Sequence, residues 1–362
     1  MKLCIIYNFA QKYREGIYKL LDVTYDCHWA FGNNHTDIKG LNYALLSNHQ
    51  FIQNHYLIGP IYYQRGALAL FRSHDRILML GELFCLSTWL MLILRRTICR
   101  QKRIYLWSHG WYGKEGILKR ILKRWFFSMS DTTFLYGHHA LLTARSQGYS
   151  RDNLQIVHNS LDYDTQLRIR QTLRTTDIYK AHFHNEHPTI IFIGRLTKVK
   201  RLDLLITAFA QLSTPANLTI VGNGAERQNL QNLIHTLKLD NRVWLYGESY
   251  DETINAHLIY NAHLCVSPGN VGLTAVHSLT YGTPVITHNN KAWQMPEFEA
   301  IKPGVTGNFF QENDASHLAK TIEEWLVAHA HNRNEVRQHC YSEIDESWTP
   351  HYQLSVFKTH IQ

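Results

Sequence analysis

From Thr189 onward the chain alternates short apolar runs with longer two-sided ones. TIIFIG, NLTIVG, RVWLYG, HLCVSP and PVITHN are rich in β-branched residues, as strands buried on both faces are. Between them, LDLLITAFAQL places Leu202, Leu205, Ile206 and Phe209 on one helical face. Strand and helix in repeated succession predict a parallel sheet with helices on its faces. Gly194, Gly222 and Gly247 each close a predicted strand, at the carboxyl edge where doubly wound sheets take ligands. Glycines that only make tight strand-to-helix turns would give the same pattern.

The first half repeats the alternation less cleanly. KLCIIY, YDCHWAF, ILML, RIYLW, TFLY and LQIVHN are its strand candidates, and they predict a second doubly wound domain. Arg168 to His187 is polar and ends at Pro188, which reads as a linker. The expected division is therefore a first domain over 1–187, including the linker 168–187, and a second over 188–340. A last segment, 341–362, has helical spacing at Tyr352, Val356 and Phe357 and is expected to pack back on the first domain. Ile77 to Leu94 is apolar enough to imitate a membrane span, but Gly81 and Glu82 interrupt it. It parses better as the strand ILML and a helix from about Phe84.

Composition adds a bound. With 362 residues, 45% hydrophobic, 12% aromatic and only 8 prolines, the chain is globular and long enough for two cores. The net charge of +8 is local: Arg95 to Arg124 holds ten Lys and Arg against Glu115 alone, so one basic surface needs explaining. Six cysteines form no CxxC pair, which predicts reduced, mostly buried thiols rather than zinc ligands. MKLCIIYNF turns polar too soon for a secretory leader, so a cytoplasmic setting is expected.

Two stretches carry candidate chemistry. In GRLTKVKR, Arg195 and Lys200 follow Gly194 on the loop into a helix, setting two cations beside helix N-terminal amides, a place suited to an anion. In SPGNVGLTAVHSLTYGTPVI, the loop through Asn270, Val271 and Gly272 leads into a helix beginning near Leu273 and Thr274, a backbone cradle for phosphate.

With both stretches in this order, the second half resembles the retaining nucleotide-sugar glycosyltransferases of GT-B architecture, the group 1 or family 4 type of bacterial polysaccharide assembly. GRLTKVKRLDLLITAF, LTIVGNGAER, VWLYG, SPGNVGLTAVHSLTYGTPVI and PEFEAIKPGVTGNFF carry the likeness over most of 190–310. The resemblance implies an α/β fold of two Rossmann-like domains facing across a cleft, the first on the acceptor side and the second binding the nucleotide sugar. It implies a diphosphate held by Arg195, Lys200 and the amides of Gly272, Leu273 and Thr274, and a base near Gly247 and Glu248. The family usually carries two glutamates eight positions apart; this chain has Gly269 and His277 there. His277 is left to bond ribose hydroxyls, and Asn270 or main chain to meet the sugar.

In the first half, RIYLWSHGWYG puts His109 directly after a strand; a histidine at the matching place in the resembled family lies against the donor sugar. The same segment offers Trp111, and YNFAQKYREG offers Arg14 and Glu15, as candidates on the acceptor side. In GILKRILKRWFF, 116–127, an apolar stripe of Ile117, Leu118, Ile121, Leu122, Trp125 and Phe126 faces away from Lys119, Arg120, Lys123 and Arg124. That suits either an interfacial helix on anionic lipid or a domain helix with solvated charges. No nucleic-acid motif accompanies the charge. DYD at 162–164 and HFHNEH at 182–187 imitate metal sites in the wrong places.

The expected activity is a metal-independent, retaining hexosyl-type transfer from a nucleotide-diphosphate sugar to a glycan or lipid-linked acceptor in surface polysaccharide synthesis, cytoplasmic or peripheral on the membrane's cytoplasmic face. The alternatives are a nucleotide-sugar 2-epimerase or a non-catalytic nucleotide-sugar-binding protein. A nicotinamide enzyme is disfavoured, because VGNGAER lacks the GxGxxG spacing.

Overall fold

The computed structural model describes residues 1–33 and 39–362. They form two compact units, one of Met1–Asp162 with Thr349–Gln362 and one of Tyr163–Trp348.

The first unit is built on a seven-stranded sheet. Its strands are β1 (Lys2–Tyr7), β2 (Asp26–Phe31), β3 (His49–Phe51), then, after a hairpin of β4 (Gln53–Ile58) and β5 (Ile61–Arg65), β6 (Arg76–Leu80), β7 (Arg103–Ser108), β8 (Thr132–Leu135) and β9 (Leu154–Ile156). The order is β3-β2-β1-β6-β7-β8-β9, and every pairing is parallel. All six strand candidates are present. The short β3 and the hairpin, whose YLI and IYY runs flank Gly59-Pro60, were not among the strand candidates.

The second unit holds β10 (Thr189–Ile193), β11 (Asn217–Val221), β12 (Val243–Gly247), β13 (Leu264–Ser267), β14 (Val285–His288) and β15 (Gly307–Phe310). They run β12-β11-β10-β13-β14-β15, again all parallel. The helix Leu202–Ala210 buries Leu202, Leu205, Ile206 and Phe209, the face that the periodicity assigned.

Both orders reverse direction once, and the reversals mark where ligands fit. Strands on either side of a reversal send their following loops to opposite faces, which opens a crevice at the carboxyl ends. In the first unit this falls between β1 and β6; in the second, between β10 and β13.

The boundaries differ from the expected ones. Residues 168–187, the expected linker, belong with 163–167 to the second unit. They form the helices Tyr163–Thr172 and Ile178–Phe183 within the second unit, where Tyr179 donates to the Leu258 carbonyl at 2.6 Å and His182 stacks on Trp244 at 3.8 Å. A polar stretch with few apolar anchors read as a loop because those anchors are aromatic and widely spaced. At the other end, residues up to Ser347 continue the second unit's helix Arg333–Ser347, and the chain crosses to the first unit at Thr349. There the helix Pro350–His360 sets Phe357 against Phe134 and Trp107, ring centres 4.6 and 5.0 Å apart. Its Gln353 exchanges hydrogen bonds with Ser160 and the His158 carbonyl.

The apolar stretch 77–94 resolves into β6, a break, and the helix Leu86–Thr97. Among the described residues no helix is long and apolar enough to cross a membrane. All six cysteines are free, five of them buried.

Candidate active site

In the second unit the loops after β10 and β13 meet at the reversal. The Gly269 amide donates to the Lys200 carbonyl at 3.1 Å, and the Thr274 hydroxyl to the Ile193 carbonyl at 3.1 Å. Lys200 Nζ donates to the Asn270 carbonyl at 2.6 Å and to its Oδ1 at 2.9 Å, which leaves one of its three N–H groups to give. Burial, with Arg195 adding to it and Glu297 opposing it, pulls the Lys200 ammonium down to about 8. Arg195 is exposed beside it. Gly272 precedes the helix Leu273–Thr280, whose first amides have no carbonyl a turn earlier to accept them. The structure thus gathers Gly194, Arg195, Lys200, Asn270, Gly272, Leu273 and Thr274 at one edge.

Other predicted residues are placed differently. The Val271 amide is already bonded to Gln294 Oε1 at 2.9 Å, so it is not free for a phosphate. Gly222 is required by the neighbouring backbone: a Cβ there would stand 1.9 Å from the Gly194 carbonyl oxygen. Gly247 ends β12, its carbonyl accepting from the Gly222 amide at 2.7 Å, and Glu248 follows it exposed. Gly269 has no room for a carboxylate, since a Cβ would meet the Val199 carbonyl oxygen at 2.0 Å.

A carboxylate from another helix lies beside His277. His277 Nε2 lies 3.0 Å from Glu252 Oε1, and the same oxygen accepts from Tyr281 at 2.7 Å and Gln166 at 2.8 Å. Burial works to raise this carboxyl, but His277, Tyr281 and Gln166 outweigh it and bring it down to about 2. Glu252 opens the helix Glu252–Asn261 after β12, and no sequence motif links it to His277. Glu297, buried near Lys200, lies in the quoted run PEFEAIKPGVTGNFF but was not singled out in it.

In the first unit, the loops after β1, β6 and β7 enclose a pocket of about 330 Å³ at the reversal, lined by Arg14, Glu82, His109, Lys119 and Tyr136 among others. Burial, then the nearby Arg14 and Lys123 charges, lower His109 to about 4; its imidazole is neutral at physiological pH. The His109 loop is tied down by a buried pair, Lys123 Nζ to Glu115 Oε1 at 2.7 Å, with Lys123 also donating to the Gly110 carbonyl at 2.6 Å. Arg14 is buried here. Trp111 does not line this pocket: it is core, 1% exposed, with its ring 4.7 Å from Phe127. Glu82 lines the pocket and accepts from Tyr62 at 2.8 Å. Burial raises its carboxyl, a trend that Tyr62 opposes.

The basic helix Ile117–Ser128 does not sort as drawn. It turns Lys123, Phe126 and Phe127 inward and leaves Ile117 at 77%, Leu118 at 71% and Trp125 at 66% exposed beside Lys119, Arg120 and Arg124. A single apolar stripe over a cationic face gave way because Glu115 draws Lys123 inside. Among the described residues, no group of three or more His, Cys, Asp or Glu is arranged to hold a metal.

Comparison with known proteins adds the context. Residues 174–342 match the model of the family described as glycosyl transferases group 1. The chain is 25% identical over 217 residues to the N-acetyl-alpha-D-glucosaminyl L-malate synthase of Bacillus anthracis, covering 59% of this chain and 55% of that protein. It is 27% identical over 188 residues to the D-inositol 3-phosphate glycosyltransferase of Mycolicibacterium smegmatis, covering 49% and 40%. The chain thus spans about half the length of these relatives. Over 99% of both chains it superposes on Anabaena Alr3699/HepE in complex with UDP, at a TM-score of 0.75 and 14% identity, a likeness of fold.

Proposed function

From the match of residues 174–342 to the group 1 glycosyl transferases and from two Rossmann-like units with the GT-B fold, we propose that the chain is a retaining glycosyltransferase. It moves a hexosyl group from a nucleotide-diphosphate sugar to a glycan or lipid-linked acceptor of surface polysaccharide synthesis. One observation carries the donor half: Arg195, Lys200 and the opening amides of the helix Leu273–Thr280 converge where β10 and β13 diverge. Charge develops on the leaving diphosphate as its bond to the anomeric carbon breaks, and fixed cations and amides stabilise it more than they stabilise the intact donor. These groups supply the positive charge, so the proposal asks for no metal. The donor's ribose hydroxyls meet the Glu252–His277 pair rather than His277 alone. UDP and UDP-glucose, bound by Anabaena Alr3699/HepE, are the first donors to try.

His109, lowered to about 4, is too weak a base to remove a hydroxyl proton at neutral pH. It orients the acceptor hydroxyl, whose proton passes to the departing phosphate oxygen on the same face as the new bond forms. Incubation with a panel of nucleotide sugars and acceptor extracts tests the reading. Release of nucleoside diphosphate with an anomerically retained product supports it; an isomerised nucleotide sugar without acceptor identifies a 2-epimerase, and binding without turnover a non-catalytic protein.

The Lys200 value of about 8 gives a sign for pH. The ammonium is the form that pairs with diphosphate, and it is lost as pH rises through that value. The kcat/KM for donor is therefore level near neutrality and falls about tenfold per pH unit on the alkaline side. Lys200→Arg removes that fall, because guanidinium stays charged. A profile without an alkaline limb removes Lys200 from the site.

We also propose a peripheral station on anionic membrane, supported by the apolar Ile117, Leu118 and Trp125 among Lys119, Arg120 and Arg124. Leu118→Glu with Trp125→Glu lowers co-sedimentation with phosphatidylglycerol vesicles at least tenfold. Unchanged sedimentation removes the membrane assignment.

A further inference from the structure

Arg14 stands against the rules for buried charge. It is 4% exposed, and its guanidinium has phenols around it rather than a carboxylate: Nη1 donates to Tyr7 at 3.0 Å, and Nη2 to Tyr136. Burial raises both tyrosines, so they face Arg14 as neutral hydroxyls that supply lone pairs and no charge. Trp107 lies under it, ring centre 4.5 Å from Cζ. Arg14 Nε is buried and, among the described residues, has no hydrogen-bond partner. A buried ion normally has a counter-ion, and Arg14 lines a pocket of about 330 Å³.

Among the described residues the remaining wall does not supply that counter-ion. Lys123 is neutralised by Glu115, His109 is neutral, and its Nδ1 is a second buried atom with no partner. Lys119 adds a further cation, and among the described residues Glu82 is the one carboxyl of the lining, held by Tyr62 and disfavoured as an anion by its burial. A guanidinium with an unpartnered Nε and no carboxylate, beside a neutral imidazole, makes a site for an oxyanion that carries hydroxyls.

We infer that this pocket takes an acceptor bearing a phosphate, whose oxygens pair with Arg14 while a neighbouring hydroxyl meets His109. The inference rests on the glycosyltransferase reading and narrows its acceptor. The phosphate is that of a free sugar phosphate or of a prenyl diphosphate headgroup, and the pocket recognises what the two share.

Calorimetric titration of the whole protein decides it, with α-D-glucose 1-phosphate against methyl α-D-glucoside, and geranyl diphosphate against geraniol. At least one phosphate-bearing compound binds tenfold or more tightly than its neutral counterpart, and the pair that shows it tells the two sources apart. Arg14→Met erases the preference. Arg14→Gln, which still donates to the phenols and so keeps the packing, erases it as well. UDP binding, which reports on the second unit, is unchanged in both. No preference in the wild type, whether both members bind equally or neither binds, overturns the inference, and so does a preference that survives in either variant. Failure of UDP and other donors to bind the wild type overturns the donor reading instead, leaving the phosphate preference standing.

Discussion

Arg195→Ala and Lys200→Ala each lower kcat/KM for the nucleotide-sugar donor by about two to three orders of magnitude, the loss seen when one preorganised group at a developing oxyanion is removed. The two differ in how they fail. Arg195 is exposed, so its loss removes charge and leaves the thermal midpoint of the protein unchanged. Lys200 also ties the loop after β13 to the loop after β10 through both Asn270 oxygens. Its alanine variant therefore loses donor affinity in addition to turnover, as a raised Kd for UDP. Release of nucleoside diphosphate gives the rates, and calorimetry the affinities. Near-normal transfer in both variants would remove the diphosphate assignment.

The second large effect comes from a methyl group. Gly269→Ala places a Cβ 2.0 Å from the Val199 carbonyl oxygen and 2.8 Å from Lys200 Cα, where backbone atoms have no rotamer by which to retreat. The clash pushes apart the two loops that shape the donor site. A cost of about 3 kcal/mol follows, at the upper end for overpacking, together with at least a tenfold weaker hold on UDP. Urea unfolding followed by tryptophan fluorescence reads the first and titration the second. Restoring the glutamate usual in the resembled family fares worse still, having the same clash and a carboxylate with no space. An alanine variant as stable as the parent would mean that the two loops are not packed as described.

Much of this was legible in the letters, and particular residues show why. β10 to β14 follow from short apolar runs, because a strand buried on both faces needs no partner to declare itself, whereas β15 was not among the strand candidates. Arg195 and Lys200 followed from their place one loop beyond a strand. Glu252 did not: it lies 25 positions from His277 in the chain and 3.0 Å from it in space, and only the packing of two helices unites them. The same holds for the burial of Arg14, which read only as a candidate on the acceptor side. Its burial comes from tyrosines on β1 and just after β8, more than a hundred residues apart along the chain.

Local composition determined which segments became strands and helices, where their ligand edges lie, and that cations stand at one of them. These depend on short-range periodicity and on backbone freedom at single positions. The tertiary arrangement decided the rest: that Trp111 is core, that Lys123 turns inward to Glu115, that Val271 spends its amide on Gln294, and that a guanidinium sits among phenols without a counter-charge. Each depends on which distant group removes water from a side chain, and the solvation of a charge is set by its surroundings in space, not by its neighbours in the chain.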